Sequence, residues 1–336
     1  MNETTPLYAN SGHSEQPTPD FSIVPEQPER PGTILVVGAT VLDRIFYVTN
    51  LPRPGETSIG HRMEIHPGGK GANQALAARK MGAEVLFISA IGGEDEAGRI
   101  ALQPLLDAGV DTEGVVHVPN QPTAEAIISV DEHGENQITA CPGAYHHLLP
   151  DHLDRKLHLF RRAKWLLIQN ELPLATVTHA IELAKEFDLK IIFNPDPFRH
   201  KSPRPPRGLF ALIPNELQAA AILDVKDYEA IPPAERYVQW TEVGAQHVFV
   251  TLGPQGVEWI RPDGAHLMFP PPEIEVIDSV GAGDAFCGAV AAFLAEDLPM
   301  DTAIALATHA ASLSVQHRGA QAGQRTREQL LNHLRV

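Results

Sequence analysis

Short apolar runs alternate with helix-like patterns along most of the chain. Strand-like runs lie at 33–38, 85–91, 165–168, 190–194, 209–213, 247–251 and 257–260. Apolar residues recur at helical spacing over 72–81, 97–108, 174–187, 233–243 and 301–316, and three of these stretches end at a glycine, Gly82, Gly109 or Gly244. This alternation predicts an α/β fold in which a mainly parallel central sheet is flanked by helices on both faces, a Rossmann-like arrangement of three layers.

Two stretches, 44–66 and 123–140, break the strand–helix alternation. Each alternates apolar and polar residues, as in Ile59, His61, Met63 and Ile65, and each contains a turn signal such as Pro54-Gly55. The pattern predicts a small β-sheet that projects from the main domain. Decoration of the surface is the alternative interpretation.

The first 31 residues are rich in Pro, Glu, Ser, Thr and Asn and have no hydrophobic periodicity. Such a segment has little apolar surface to bury, so we predict that residues 1–31 form a disordered tail. Residues 32–336 are then predicted to form one α/β domain.

Bulk composition narrows the class of protein. The net charge of −16 at pH 7 argues against binding to nucleic acid or to anionic membrane surfaces. Two cysteines, Cys141 and Cys287, provide no disulfide framework and favour a reducing, cytoplasmic location. No run of about 18 apolar residues predicts a membrane span, and the N-terminus lacks the pattern of a secretory signal.

The most informative segment is 278–284, Asp-Ser-Val-Gly-Ala-Gly-Asp, which leads into a run of small apolar residues. A helix that begins near Ala282 would point the backbone N–H groups of Gly281, Ala282 and Gly283 at an anion. Asp284 could then accept the proton of an attacking hydroxyl, as phosphoryl transfer requires. The alternative is an ordinary turn with an acidic residue in the first turn of a helix.

A second glycine-rich segment, 67–74, reads Pro-Gly-Gly-Lys-Gly-Ala-Asn-Gln. It is not a Walker A loop, because Lys70 is followed by Gly71 where Ser or Thr is required, and it is not a dinucleotide fingerprint. It places exposed backbone, Lys70 and Asn73 at the start of a helix. That arrangement suits a polyhydroxylated substrate or a phosphate.

Together, and in this order, the two segments resemble the ribokinase family of sugar and nucleoside kinases. The resemblance extends from about residue 33 to 331 and includes Asn194-Pro195, Pro214-Asn215-Glu216, Thr251-Leu252-Gly253 and Arg318-Gly319-Ala320-Gln321. It implies ATP-dependent phosphorylation of a primary hydroxyl, and the motifs closest to ribokinase itself favour ribose. It also implies that the sheet of 44–66 and 123–140 is a lid over the sugar, whose outer face pairs two subunits into a homodimer.

The resemblance also implies roles for individual residues. Asp284 matches the catalytic base, and the backbone of Gly281, Ala282 and Gly283 matches the anion hole. The residues that match sugar contacts are Asp43, Gly69, Lys70, Asn73 and Glu171. Their alternatives are a solvent-facing turn acid at Asp43, a solvated lysine at Lys70 and a surface acid before a helix at Glu171.

At the nucleotide end, the resemblance implies contacts from Asn215, Thr251, Gly253, Gly256, Gly283 and His309. Packing is the alternative for His309, because small residues surround it in the sequence. The family uses Mg²⁺, and a monovalent cation, here K⁺, would be held by the Asp278 carboxylate together with backbone groups of Val280, Ser314, His317 and Gly319.

Three positions depart from the family pattern. Gln218 stands where a glutamate near Mg²⁺ is expected, Gly323 where a serine ligand of the monovalent cation is expected, and Val41 where ribokinase has an asparagine. Val41 leaves another furanose, a hexose or a nucleoside open as the substrate. Gln218 leaves a second function open, that of a non-catalytic sugar or nucleotide sensor that has lost turnover.

Overall fold

The protein is described by a computed structural model that covers residues 19–28, 32–198 and 204–335. Its strands are β1 (Thr33–Val37), β2 (Val41–Val48), β3 (Gly60–Gly68), β4 (Glu84–Ile88), β5 (Ala90–Gly92), β6 (Val116–Val118), β7 (Ala124–Val130), β8 (Asn136–Cys141), β9 (Trp165–Gln169), β10 (Lys190–Asn194), β11 (Leu209–Leu212), β12 (Ala245–Thr251), β13 (Val257–Ile260) and β14 (His266–Phe269). Its α-helices are α1 (Lys70–Lys80), α2 (Glu96–Ala108), α3 (Pro150–Asp154), α4 (Leu157–Arg162), α5 (Leu174–Glu186), α6 (Glu216–Ile222), α7 (Pro233–Val243), α8 (Ala282–Ala295), α9 (Met300–Ser314) and α10 (Arg327–Leu334). Short 3₁₀ turns lie at Phe21–Ile23, Gly143–His147 and Gly253–Gln255.

An eight-stranded sheet forms the centre of the domain, with the order β14-β13-β12-β11-β10-β9-β1-β4. Its strands are parallel from β4 to β12, and the last two pairs, β12–β13 and β13–β14, are antiparallel. The predicted α/β fold with a mainly parallel sheet is therefore confirmed. The parallel strands all end at one edge, where ligands of such sheets usually bind.

The sheet separates two apolar layers, as the alternation along β1 illustrates. Ile34 and Val36 pack into the layer that contains residues of α1, α8, α9 and α10, whereas Leu35 and Val37 pack into the layer of α4, α5 and α7. Successive side chains of a strand point to opposite faces, so a strand covered on both sides is apolar throughout. The three-layer prediction is confirmed by this arrangement.

Helices α1 and α8 pack unusually closely. A Cβ atom built on Gly288 of α8 would lie 2.4 Å from the carbonyl oxygen of Gln74 in α1, so only glycine allows this approach. The contact sets the first turn of α8 beside the first turn of α1. Both glycine-rich segments of the sequence therefore meet at the same place.

A second sheet with the order β3-β2-β7-β8 projects from the domain, which confirms the predicted small sheet. Its strands begin and end outside the predicted segments, since β2 starts at Val41 and β3 runs on to Gly68. Asp43 consequently lies inside a strand of this sheet, where it pairs with His66. The alternative of a solvent-facing turn acid at Asp43 does not hold, because the strand begins at Val41, before the predicted start of the segment at 44.

The remaining differences from the predicted elements are local. The stretch 85–91 is divided at Ser89 into β4 and β5, and β5 pairs with β6 in a separate two-stranded sheet. Strand β14 and the helices α3, α4, α6 and α10 were not predicted, because each is short and its pattern is too brief to show a period. Within the described ranges, no helix is both long enough and apolar enough to cross a membrane.

Residues 19–28 lie against the domain, in contrast to the disordered tail predicted for 1–31. The Phe21 ring packs edge-on against His309 at 5.7 Å between centroids, and Val24 is buried in the main core. The carbonyl oxygen of Pro25 accepts a hydrogen bond of 2.9 Å from Arg327 Nε. The prediction is wrong for this stretch, because two apolar side chains anchor it without producing any periodic pattern; residues 1–18 and 29–31 lie outside the described residues.

Candidate active site

One cavity of about 420 Å³ opens at the carboxyl edge of the main sheet. It is lined by Lys70, Asn194, Asp196, Ile213, Asn215, Glu216, Leu217, Gln218, Thr251, Gly253, Gly281, Gly283, Asp284 and Cys287. The lining joins the start of α8 to the ends of β10 and β12. Lys70 and Asp284 of the predicted sugar residues therefore share one cavity with Asn215, Thr251 and Gly253 of the predicted nucleotide residues, whereas Asp43, Gly69, Asn73 and Glu171 lie outside its lining.

Asp284 lies in the first turn of α8 and is buried at the inner end of this cavity. Its Oδ2 accepts a hydrogen bond from Asn73 Nδ2 and its Oδ1 accepts one from Gln74 Nε2, both 2.9 Å long. Burial raises the pKa of the Asp284 carboxyl above its ordinary value, while the Lys70 ammonium and the two amide donors oppose that rise. The group is thus a carboxylate with increased proton affinity, as a general base requires.

The turn before Asp284 depends on glycine. Gly281 caps α8 with φ of 82°, in the left-handed region, and a Cβ there would lie 2.6 Å from Ala320. The Ala282 N–H donates to the Ser279 carbonyl at 3.3 Å, so it is less free for an anion than predicted. The N–H groups of Gly283 and Asp284 belong to the first helical turn, which has no intrahelical acceptors, and a Cβ at Gly283 would meet no atom within 4 Å.

Lys70 is surrounded by carboxylates. Its ammonium pairs with Asp196, and its backbone N–H donates to Glu171 Oε2 at 2.8 Å. Burial disfavours its charge, but the carboxylates of Asp284, Asp196 and Glu171 together hold the pKa of Lys70 above its ordinary value. Lys70 is therefore a fixed cation beside the first turn of α8. The alternative of a merely solvated lysine does not hold.

Glu171 lies at the N-terminus of α1, where it accepts the Lys70 N–H. Burial raises the pKa of Glu171 to about 7, and the positive charge of Lys70 opposes this rise. A carboxylate at a helix N-terminus satisfies N–H groups that have no other partner. The structure thus places Glu171 under the glycine-rich segment, not on the surface.

Asp43 meets the same segment from the small sheet. Its Oδ2 is 2.5 Å from the position that a Cβ on Gly68 would occupy, immediately before Gly69. Burial raises the pKa of Asp43 to about 6, against the attraction of His66. The structure therefore brings Asp43 and Gly69 together, as predicted, and connects them through α1 to Asn73 and Asp284.

The predicted nucleotide residues divide into two groups. Asn215, Thr251 and Gly253 line the cavity, and Asn215 and Thr251 form a parallel β-bridge. Gly256 lies outside the cavity lining and closes the turn, where its carbonyl oxygen accepts the Leu252 N–H at 2.8 Å. His309 also lies outside the lining; its Nδ1 bonds the Ala305 carbonyl and its ring contacts Phe21.

Gln218 has a local role that its sequence position did not reveal. Its Oε1 accepts the Asn215 backbone N–H at 3.0 Å, while Asn215 Oδ1 accepts the Gln218 N–H at 2.9 Å, which makes a capping box at the start of α6. The Gln218 side-chain oxygen is therefore occupied. Glu216, which also lines the cavity, supplies the carboxylate at this end.

The residues proposed for a monovalent cation surround the loop before α10. The two Asp278 oxygens accept the backbone N–H groups of Val280 and Gly319 at 3.0 and 2.9 Å. A Cβ at Gly323 would lie 2.1 Å from the Ser314 carbonyl oxygen and 3.5 Å from that of His317, so both carbonyls lie close to the backbone of Gly323. Among the described residues, no group of three or more His, Cys, Asp or Glu side chains could hold a metal ion.

Several site residues were missed from the sequence. Gln74, Asn194, Asp196, Leu217 and Cys287 contact Asp284 or line the cavity. Gln74 belongs to the glycine-rich segment, and Asn194 and Asp196 flank the end of β10, where side chains of a parallel sheet reach the site. The signals available in the sequence were the glycine-rich segment, which contains Gln74, and the end of a predicted strand, where Asn194 and Asp196 lie.

Comparison with known proteins identifies related chains. A family model described as pfkB family carbohydrate kinase matches residues 32–327. The bifunctional ribokinase/ribose-5-phosphate isomerase A of Fructilactobacillus sanfranciscensis is 34% identical over 303 residues, which is 89% of this chain and 55% of that protein, so the chain spans about half of this relative. The ribokinase of Haemophilus influenzae is 32% identical over 302 residues, and the deoxyribokinase of Salmonella typhi is 30% identical over 304 residues; both alignments cover 90% of this chain and 98% of the relative.

Among solved structures, the ribokinase of Arabidopsis thaliana complexed with ribose and ATP has a TM-score of 0.83 to this chain. The two sequences are 27% identical, and the match covers 91% of this chain and 99% of the other.

Proposed function

The chain belongs to the pfkB family of carbohydrate kinases, phosphotransferases that act on an alcohol group, and we propose that it uses ATP to phosphorylate the primary hydroxyl of a small sugar, with ribose as the first candidate. One observation carries the proposal. Asp284 lies at the N-terminus of α8 in the same cavity as Thr251 and Gly253. A proton acceptor and the N–H groups of the first turn of α8 thus lie beside the same cavity.

In the proposed reaction, Asp284 accepts the proton of the sugar hydroxyl as the oxygen attacks the γ-phosphorus of ATP. The bond from the γ-phosphorus to the β,γ-bridging oxygen breaks, and ADP leaves with that oxygen. The N–H groups of Gly283 and Asp284, together with the α8 dipole, favour the charge that develops on the phosphoryl oxygens. Lys70 holds a positive charge beside the same space. The chain thus supplies the base, the anion donors and the orientation of both substrates.

The sugar end supports a substrate with neighbouring hydroxyls. An ionised Asp43 can accept hydrogen bonds from two hydroxyls, which suits a vicinal diol such as that of ribose. A site built around such bonds discriminates strongly against an analogue that lacks one hydroxyl. One relative is a deoxyribokinase. The ratio of kcat/KM for ribose to that for 2-deoxyribose therefore tests whether Asp43 accepts hydrogen bonds from both hydroxyls.

Two metal ions form part of the proposal. Mg²⁺ bound to the ATP phosphates would neutralise part of their charge, and Glu216 is the anionic oxygen available for its water shell, since Gln218 is engaged by Asn215. K⁺ would be held near the Ser314 and His317 carbonyls, which both lie close to Gly323. The Asp278 carboxylate holds the neighbouring backbone through the N–H groups of Val280 and Gly319.

We also propose a homodimer that forms through the small sheet. Met63, Ile65 and Ile127 are exposed by 52, 37 and 48%, and the alternation of the strands places all three on the face opposite Asp43. These apolar side chains flank Arg44, which is paired with Glu125, and a mixed face of this kind favours burial against a second copy.

The function is tested by a coupled assay of ADP release with ribose, 2-deoxyribose, other pentoses, hexoses and nucleosides. We expect sugar-dependent ADP release with the highest kcat/KM for ribose. ADP release with a different sugar would change the proposed substrate but support the proposed kinase activity. Binding of sugar and ATP with no ADP release from any of these compounds would support a sensor and overturn the proposal.

A further inference from the structure

Both oxygens of Asp284 are held by amides from consecutive residues of α1, Asn73 and Gln74. An ionised carboxylate can only accept hydrogen bonds, so each amide must turn its NH₂ group toward Asp284. An amide that rotates by half a turn about its last bond would present its oxygen and repel the carboxylate. The orientation of these two side chains therefore determines whether Asp284 is stabilised as a base.

The Asn73 amide is oriented by a residue of the C-terminal part of the chain. Gln321 Nε2 donates to Asn73 Oδ1 at 3.0 Å, on the side of the amide that faces away from Asp284. With its oxygen engaged there, Asn73 can point only its NH₂ group at Asp284.

The Gln74 amide is oriented in the same way from the central sheet. Gln169 Nε2, at the end of β9, donates to Gln74 Oε1 at 2.6 Å. The second N–H of Gln74 donates to Asn194 Oδ1 at 3.1 Å, and Asn194 Nδ2 donates to the Ile213 carbonyl at 2.7 Å. The hydrogen bonds from Gln169 through Gln74 and Asn194 to Ile213 therefore all run in one direction.

The two glutamines that orient these amides each lack one hydrogen-bond partner of their own. Gln169 and Gln321 are buried, and the side-chain oxygen of each accepts no hydrogen bond from the described residues. A buried polar atom without a partner is costly, and an apolar side chain of the same length would avoid that cost. Gln324 has the same unpaired oxygen, so Gln169 and Gln321 are distinguished by their NH₂ groups, which donate to the side-chain oxygens of Gln74 and Asn73.

We propose that Gln169 and Gln321, which make no hydrogen bond to Asp284, are positioning residues that hold the Asn73 and Gln74 amides in the one orientation in which both donate to the Asp284 carboxylate. The inference rests on the proposed function, in which Asp284 is the general base. It adds two residues, from β9 and from the loop before α10, to the groups on which catalysis depends.

Other charged and titratable groups also face Asp284. Lys70 from α1 lowers its pKa, whereas Asp196 and Glu171, which follow β10 and β9, disfavour its charge, and the Cys287 thiol lies one turn further along α8. None of these groups changes when one of the two orienting glutamines is replaced. A loss of amide orientation would therefore act on Asp284 alone, by favouring its protonated form.

The test uses three isosteric variants of the full chain. Gln169→Met and Gln321→Met remove the orienting donor and keep the length of the side chain. Gln324→Met is the matched control, because Gln324 is equally buried and donates to the backbone carbonyl of Asn73 at 2.9 Å, not to its amide.

For the first two variants we expect the acidic limb of the kcat–pH profile to move up by about one pH unit, the equivalent of one hydrogen bond to a charged group. At pH values below that limb, kcat should fall about tenfold, while KM for ATP stays within about twofold. The control should keep the wild-type limb. Gln169 and Gln321 lie on different elements. If one variant misfolds, the other variant therefore still tests the proposal.

A second measurement separates this inference from the proposed function. Titration of the Asp284 carboxyl by ¹³C NMR, assigned by the signal that is missing in Asp284→Asn, needs no turnover. An Asp284 titration that is the same in wild type, Gln169→Met and Gln321→Met would overturn the positioning role even if the enzyme is active. A shifted titration in a protein that releases no ADP would leave the positioning role intact and overturn the function.

Discussion

At the scale of single residues, the site is governed by carboxyl groups that the fold buries. Asp284, Glu171 and Asp43 all have pKa values raised by burial, and all three lie within one continuous set of contacts around α1. Burial makes each a stronger proton acceptor. It also makes each ionised form costly to the folded state.

Replacement of Asp284 by asparagine should remove turnover without removing the nucleotide site. The amide cannot accept the hydroxyl proton, so we expect kcat to fall by at least about 10²-fold. The dissociation constant for ATP should change by no more than a few-fold, because Asn215, Thr251 and Gly253 line the cavity from other elements and stay unchanged. Steady-state kinetics and calorimetric ATP binding measure the two effects, and a variant with near-wild-type kcat would exclude Asp284 as the base.

Asp43→Asn should stabilise the protein in a pH-dependent way. The folded pKa of Asp43 is about 6, above the ordinary value of 3.8, so the folded state binds the proton more tightly than the unfolded chain does. The stability associated with the neutral carboxyl is present below about pH 4 and is lost as the pH rises through 6. The loss is on the order of 3 kcal/mol, or about 6 °C in thermal midpoint.

Thermal unfolding of Asp43→Asn and wild type at pH 4 and pH 8 measures this difference. We expect the two midpoints to coincide at pH 4 and the variant to be higher at pH 8. Glu132→Gln, which removes an exposed charge from the same sheet region, controls for the high net charge. An equal gain in both variants would attribute the effect to net charge and not to burial at Asp43.

The sequence predicted the residues of this site better than their contacts. Asp284, Asn73 and Lys70 were recognisable from two short glycine-rich segments. The roles of Gln74 and Asn194 were not, because a hydrogen bond between residues 120 positions apart depends on how β10 and α1 pack. His309 shows the same limit, since its partner Phe21 comes from a segment without any pattern.

At the scale of elements, the stretch 19–28 is the main departure from expectation. It docks on α9 and α10 through Phe21, Val24 and the bond between Pro25 and Arg327. Arg327 also pairs with Glu296 at the end of α8. The stretch therefore joins three helices of one layer.

Deletion of residues 1–28 should lower the thermal midpoint, whereas deletion of residues 1–18 serves as the control and should not. The loss of two partly or fully buried apolar side chains is worth about 2 kcal/mol, or about 4 °C, after the ordering of the segment is considered. Differential scanning calorimetry of both truncations and of Phe21→Ala measures it. Equal midpoints for the wild type and the longer truncation would show that the stretch contributes nothing to stability.

Long elements were predictable and short ones were not. The helices α2, α5 and α9 each provide at least three turns of apolar spacing, and α2 also has an aspartate cap at Asp95 and a left-handed glycine at Gly109. Helices of five to seven residues, such as α3, α4 and α6, offer too few positions for a period to appear.

At the scale of the whole molecule, the small sheet is the element best placed to meet another copy. Ile127→Asp would place a charge on its exposed apolar face, and we expect it to convert a homodimer to a monomer at micromolar concentration. Val238→Asp is the matched control, because Val238 is an exposed apolar residue on α7. Sedimentation velocity distinguishes the two species, and a wild-type protein that sediments as a monomer would contradict the proposed dimer.

The overall architecture followed from alternation alone, because parallel strands covered on both faces produce a pattern that extends over the whole chain. The position of the small sheet relative to the site did not follow, since it depends on where β2 leaves β1. Only the structure shows that Asp43 belongs to this sheet and lies against Gly68 of the glycine-rich segment.

The single cavity that joins Asp284 to Thr251 and Gly253 has a consequence for inhibitor design. A sugar joined covalently to an adenosine phosphate would be held at both ends of one space, so that binding of the second moiety becomes intramolecular. With a short flexible linker, the effective concentration of that moiety reaches the millimolar range. A conjugate whose linker matches the distance between the two bound moieties would therefore bind far more tightly than either fragment. The linker length that gives the tightest binding would measure the distance between the two bound substrates.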